Sequence, residues 1–445
     1  MKGEIIVALS DRIQTQSPKN KAPSGALRKR VLLVSHYHPE LIRGGGQQCC
    51  YELFQGLKAE ADIQPFFLAG TDDSYPALYK LGACITGFDG RENEFLYLSA
   101  DYDRLWHRTT SPRHIAAYTD LLQTLRPDVV HFQHFMLLGI DMLSLTRTVL
   151  PQCRIVFTLH EYLTMCDARG HMVRLTDGSL CSEPSPVRCH QCLPHHSPDH
   201  FVMRKMWFLR HLSVVDRYAC ACHFQIAHHV DWGLDRSKIF VVPNGEGNKA
   251  KTVPAPLEGP KNRFGFFGQL VDAKGVHIIL RAVDILRAEG FTDFKVELNG
   301  DNIRFATAPI RQEIESFLAA ESQRPVPEQI VSNNGAYHVD QIESRMLRID
   351  WSLVPSIWWE TFGLVISEAW MFKRPVICSN VGGMAERIQH DINGLHFQIA
   401  DPRSLAAAMR RAATEPGLWQ KLSSAAPQAP SRADVVKGYR ALYED

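Results

Sequence analysis

The sequence has no run of about 18 apolar residues, the length a membrane-spanning helix needs, so no segment is expected to cross a bilayer. It has no excess of charge of either sign. Lys and Arg number 49 against 48 Asp and Glu, where a nucleic-acid protein shows a strong basic surplus, so no nucleic-acid partner is expected. The first 20 residues hold one short apolar run, 5–9, too short for a signal-peptide core, and no small-residue cleavage site follows it. A cytoplasmic protein is therefore expected, with its 11 cysteines reduced or metal-bound and not in disulfides. The remaining fractions, 45% hydrophobic and 22% charged, are those of an ordinary globular chain.

At 445 residues the chain is too long for one typical core, and two domains of about 200 residues each are expected. Residues 1–28 are polar and read as a flexible tail. The run 31–35 (VLLVS) is continuously apolar, as a buried parallel strand should be. Gly44, Gly45 and Gly46 follow, and then Cys50, Leu53, Phe54 and Leu57 fall at helical spacing. Strand, glycine loop and helix open a nucleotide-binding α/β unit. Further buried strands are expected at 65–68, 129–132 and 155–159, with helical lengths between them. That alternation argues for a parallel sheet covered on both faces.

The pattern breaks at 166–198, an irregular insertion rich in Cys, His, Pro and Gly. A helix is expected at 201–216 and a strand at 239–242, after which Pro243, Asn244, Gly245 and the loose stretch 249–262 read as a linker. Then the pattern restarts. A strand at 264–267, a loop at 268–275 and a helical stripe of Val276, Ile279, Leu280, Val283 and Leu286 are followed by strands at 296–298, 352–355 and 376–378. The expected fold class is therefore α/β, with two doubly wound, Rossmann-like domains at 29–243 and 244–425 and a last amphipathic helix within 426–445.

The segment 354–366 (VPSIWWETFGLVI) follows a strand and opens a helix. Free backbone N–H groups and the positive helix end suit a phosphate or sugar hydroxyls there. Gly363 lets a ligand approach the backbone closely. Glu360 precedes the helix and Glu368 lies about two turns inside it, about 10 Å further along the axis, so the two carboxylates would touch different parts of a long ligand. The bland alternative is a helix-start acid and a solvated helix acid. His160 ends the strand at 155–159, at the carboxyl edge where open α/β sheets bind ligands, with a backbone-satisfied histidine as the alternative. His131 and His134 are lesser candidates that would face an acceptor.

Cys166, Cys181, Cys189 and Cys192 cluster in the insertion, the last two as a CxxC pair that can grip one metal from a tight turn. Four thiolates suit a structural zinc ion or an iron–sulfur cluster, with His171, His190, His195 and His196 as substitute ligands and free thiols as the alternative. The next helix carries Phe201, Trp207, Phe208 and Leu212 with Arg204, Lys205 and Arg210, which would suit either core packing or peripheral contact with an anionic membrane.

Glu360 and Glu368, separated by seven residues with Phe362-Gly363 after the first, resemble the signature of glycosyltransferase family 4. The resemblance extends through PNG at 243–245, GQLVDAKG at 268–275, NGD at 299–301, PVICSNVGGMAE at 375–386 and NGL at 393–395. It covers roughly 29–443, and the insertion resembles that of members in bacterial surface polysaccharide synthesis. It implies two facing Rossmann-like domains (the GT-B fold), a site in the cleft between them, and a final helix crossing back to the first. It implies a retaining transferase that takes a UDP- or GDP-sugar and passes the sugar to a saccharide or lipid-linked acceptor, at the inner membrane face or in the cytoplasm.

By the same resemblance His160 and Glu360 would act on the donor sugar. Glu368 would bind the ribose, and Lys274 the diphosphate. Gly45, Gly46, Asn299, Gly300, Thr361, Phe362, Gly363 and Leu364 would line the donor. Gln269 stands where the family usually has Arg, which removes a cation from that pocket; Arg43 is a candidate to compensate. Two alternatives follow: a catalytically weakened partner subunit, and a metal or redox sensor built on the cysteine loop.

Overall fold

The computed structural model describes residues 28–42, 44–72, 75, 82–245 and 258–444. Residues 1–27 of the expected tail, Arg43, and 249–257 of the expected linker lie outside the described residues.

Two large sheets carry the fold. The first has eight strands in the order Ile239–Val241, Arg217–Cys220, Arg154–Leu159, Val129–Phe132, Lys29–Ser35, Ile63–Thr71, Glu94–Leu98 and Ile85–Gly87. Lys29–Ser35 pairs in parallel with Ile63–Thr71 and with Val129–Phe132, and only the edge strand Ile85–Gly87 is known to run antiparallel to its neighbour. The continuous apolar runs expected from the sequence are the central strands, because a strand covered on both faces has no polar side. Among the described residues, five strands of these sheets escaped the pattern: Ile85–Gly87, Glu94–Leu98, Arg217–Cys220, Val331–Asn333 and Gly394–Phe397. Glu94–Leu98 opens on a buried carboxylate, which is met by His38 and Lys58.

The second sheet runs Val331–Asn333, Lys295–Asn299, Arg263–Phe267, Trp351–Val354, Val376–Ser379 and Gly394–Phe397, with every pair parallel. Counted along the chain this is the order 3-2-1-4-5-6 of a dinucleotide-binding fold. Its strand order reverses between Arg263–Phe267 and Trp351–Val354. Loops leaving the carboxyl ends of those two strands frame a crevice, and a ligand is expected there.

The chain divides into two compact units. One holds residues 1–159, 206–219 and 436–445; the other holds 160–205 and 220–435. The insertion and the stretch from Cys220 group with the second unit, although strand Ile239–Val241 belongs to the first sheet, to which the sequence pattern assigns it. The last residues of helix Arg432–Tyr443 go with the first unit. There Tyr443 Oη lies 2.8 Å from His131 Nδ1, and Arg440 Nη2 donates to Asp62 Oδ2 at 2.8 Å. His131 is also held by Thr158 and Gln133. It is a fully buried brace, which corrects its expected place facing an acceptor.

Candidate functional site

In the second unit, strand Arg263–Phe267 ends at Gly268, and a one-turn 3-10 helix, Asp272–Lys274, follows. Gly275 then takes a left-handed conformation, φ 71°, and any Cβ there would collide with the carbonyl of Pro355. Only glycine lets the loop after the first strand press against the loop after the fourth. Ile357 N donates to Ala273 O at 2.9 Å and fastens the two loops together.

This contact brings Lys274 to Glu360. Lys274 Nζ donates to Glu360 Oε2 at 2.6 Å. The same oxygen accepts from Trp358 Nε1 at 3.1 Å and Ser356 Oγ at 3.2 Å. Glu360 is 6% exposed, and these three donors converge on one oxygen of its carboxylate. The ammonium also lies 5.5 Å from the Trp358 ring centroid.

Helix Leu364–Met371 begins at Gly363, whose φ of 73° again favours glycine. Glu368 is half-buried about one turn inside this helix, not two as expected. Arg387 clasps the turn before it. Its Nη1 donates to the carbonyls of Phe362 and Gly363, both at 2.9 Å, and its Nη2 to Ser367 Oγ at 2.6 Å. Phe362 is buried beneath that guanidinium. The glycines of helix Gly382–Arg387 lie against the backbone of Glu360 and Thr361, and Gly383 N donates to Glu360 O at 2.7 Å.

Other expected residues fall out as follows. Thr361 Oγ1 donates to the carbonyl of His160 at 2.9 Å, so these two distant positions are adjacent. Gln269 is exposed in the loop that holds Lys274. Gly300 is a close-approach glycine against Gly268 O. Asn299 turns its side chain into the sheet: Oδ1 accepts from Arg345 at 3.0 Å and Asn334 at 3.2 Å, and it is fully buried. Any ligand contact there falls to its backbone. Gly45 and Gly46 sit in the first turn of helix Gly45–Leu57 in the other unit, where the sequence suggested a free loop.

Ser356, Trp358 and Arg387 are parts of this site that the sequence does not single out; the WW pair beside the Glu360 motif is the available signal. His171 also lies elsewhere than expected. That histidine was offered as a spare metal ligand, yet its ring centroid is 5.0 Å from that of Trp358. Burial, with the cation of Lys274 adding, pushes its imidazole down to about 4, so it is neutral at physiological pH.

The family described as "Glycosyltransferase Family 4" matches residues 43–245, and the one described as "Glycosyl transferases group 1" matches residues 249–429. The two matches follow one another and together span residues 43–429 but for 246–248. The chain is a glycosyltransferase of the family 4 type.

This glycosyltransferase is 24% identical over 272 residues to an uncharacterized glycosyltransferase of Methanocaldococcus jannaschii, covering 57% of this chain and 69% of that one. It is 23% identical to an uncharacterized 41.2 kDa protein in the cps region of Klebsiella pneumoniae, over 48% of this chain and 57% of the relative. Among solved structures, Anabaena HepE in complex with UDP and glucose aligns with a TM-score of 0.63 at 15% identity, covering 93% of this chain and 99% of that one. Sucrose-phosphate synthase of Thermosynechococcus elongatus aligns at 0.65 and 16% identity, covering 94% and 96%. At these identities the structures establish the fold, which is GT-B with two Rossmann-like domains.

Proposed function

We propose that this glycosyltransferase moves a sugar from a nucleotide donor, a UDP- or GDP-sugar, to a saccharide or lipid-linked acceptor with retention of configuration. The observation that carries the reading is the Lys274–Glu360 pair at the strand-order reversal of the second sheet. A diphosphate needs a cation and free N–H groups, and sugar hydroxyls need a fixed carboxylate; the crevice offers all of these. In this reading Lys274 meets the diphosphate, Glu360 the sugar hydroxyls and Glu368 the ribose. His160 and the backbone of Thr361 to Leu364 sit beside the reacting carbon. The UDP and glucose bound by Anabaena HepE support a nucleotide-sugar donor.

The chemistry balances without a protein nucleophile. The bond from the anomeric carbon to the phosphate oxygen breaks with its electron pair going to the diphosphate. The acceptor oxygen then bonds to that carbon on the same face, and its proton passes to the departing phosphate. Positioning and charge stabilisation supply the rate.

Polysaccharide or glycolipid synthesis is the setting this reading favours, and the Klebsiella cps-region relative supports it. Among the described residues no helix is long and apolar enough to cross a membrane. Peripheral contact at a cytoplasmic membrane face has support from helix Pro198–Leu212, though from other residues than expected. Phe201, Phe208, Leu212 and Arg204 are buried, while Val202, Met203 and Met206 are exposed beside Lys205 and Arg210.

The test is a panel of UDP- and GDP-sugars incubated with the purified protein. One donor should be slowly hydrolysed and should bind in calorimetry. Absence of both hydrolysis and nucleotide binding across the panel would overturn the reading.

A further inference from the structure

Residues 171–200 have almost no core of their own. Met172 is the single fully buried side chain among them, and helix Pro186–Cys192 buries none. A segment of this length without apolar burial needs another source of order. Cys166, Cys181, Cys189 and Cys192 all line one pocket, together with Asp167 and Phe201. They reach it from three separate pieces of chain: the turn after Tyr162, the bridge residue pair at Leu180, and the short helix. All four are free thiols.

The same segment holds the donor loop. Trp359 Nε1 donates to the carbonyl of Cys181 at 2.9 Å, and Cys181 N donates to Met172 O at 2.8 Å. His171 packs on Trp358, whose indole N–H is bonded to Glu360. Both tryptophans that precede Glu360 are therefore buttressed by residues strung between Cys166 and Cys181.

We propose that Cys166, Cys181, Cys189 and Cys192 bind one thiolate-held metal centre, and that this centre fixes the insertion against Trp358 and Trp359 so that the placement of Glu360 depends on it. The donor set is soft and anionic, which selects zinc or an iron–sulfur cluster over hard oxygen-seeking cations. Among the described residues, the ligand atoms that lie mutually within 4.8 Å are those of Asp167, His196 and His200. No three of the four sulfurs are that close together. A cluster would span the wider ring, and a single zinc ion would draw the thiolates inward. The first half of the proposal, the centre, is independent of the transferase reading; the second half, its effect on the donor, rests on it.

The full-length protein, expressed with both zinc and iron supplied, is assayed for zinc, iron and acid-labile sulfide. About one zinc per chain, or about four irons with matching sulfide, is expected. Zinc and iron both below about a tenth of those amounts overturn the centre. The absorption spectrum separates the two arms, since only the cluster absorbs in the visible.

Cys189→Ser and Cys192→Ser should each lose the metal and make 167–197 the first site of limited proteolysis, whereas Cys49→Ser, on helix Gly45–Leu57, should do neither. Loss of metal should also shift the tryptophan emission, a change absent in Trp359→Phe, and should raise the KM for the donor about tenfold, the scale seen when outer-shell support is removed. A variant that loses its metal with proteolysis, emission and KM all unchanged overturns the coupling. If the parent protein binds no nucleotide sugar, the transferase reading fails, and the metal, proteolysis and emission results still decide the centre.

Discussion

Lys274 Nζ stands 2.6 Å from Glu360 Oε2, although 86 positions of sequence separate them. In the proposed reading, a cation suited to the donor's diphosphate and a carboxylate suited to its sugar hold each other. Lys274→Ala leaves Glu360 buried with only the neutral donors of Trp358 and Ser356. It should lower kcat/KM for the donor by about 10- to 100-fold, mostly through KM. Glu360→Gln should instead lower kcat and leave nucleotide binding near the parent value. Steady-state kinetics with calorimetry on UDP separates the two, and equal effects on both parameters in both variants would contradict the assigned roles.

Gln269 is exposed in the loop that carries Lys274. Gln269→Arg adds a cation with a planar fork of donors beside the proposed diphosphate position. It should tighten UDP binding about three- to tenfold, and more at low salt than at high salt. Calorimetry at two ionic strengths measures this; unchanged affinity at both would place Gln269 away from the phosphates.

Gly275→Ala puts a methyl group into the Pro355 carbonyl at a φ of 71°. The two loops must part, and the Lys274–Glu360 contact goes with them. A loss of about 2 kcal/mol or more in stability is expected, together with loss of donor binding. Gly290→Ala, where φ is 74° but no atom is within reach, is the control for backbone strain alone. Urea unfolding of both variants decides it, and equal losses would show that strain, not the loop contact, dominates.

Burial pushes the imidazoles of His229 and His277 down to about 4 from the ordinary 6.5. The folded protein refuses a proton that the unfolded chain accepts. Their contribution is complete above pH 6.5 and is lost as the pH falls toward 4. The urea midpoint should therefore drop between pH 7 and pH 5 more than in His229→Gln. An equal drop in the variant would mean that His229 does not titrate in that window.

The central strands were legible in the sequence because burial on both faces leaves an unbroken apolar run, as at 31–35 and 129–132. Glu94–Leu98 was not, because a carboxylate opens it, and its acceptability depends on His38 and Lys58 arriving from elsewhere. The loop proposed to bind the donor was legible as a motif, Glu360 to Glu368, yet its supports were not. Ser356 and Trp358 lie next to Glu360 in the chain, but nothing local says that their donors turn back to it. Asn299 shows the opposite error: a residue in a ligand-like motif whose side chain the fold spends on Arg345 and Asn334.

The sequence by itself determined the repeated strand–loop–helix units, the glycines that only positive φ explains, and the family 4 motifs in their order. Those follow from local sterics and from hydrophobic burial, which act over a few residues. Tertiary structure alone decided that Lys274 meets Glu360, that His171 and Cys181 back the two tryptophans beside it, and that His131 is locked by Tyr443. These are contacts between residues tens to hundreds of positions apart. The Lys274–Glu360 contact exists because the 3-2-1-4-5-6 order of the second sheet sets its first strand beside its fourth and brings their loops together at one edge. The others depend on the insertion and the last helix packing back on distant residues.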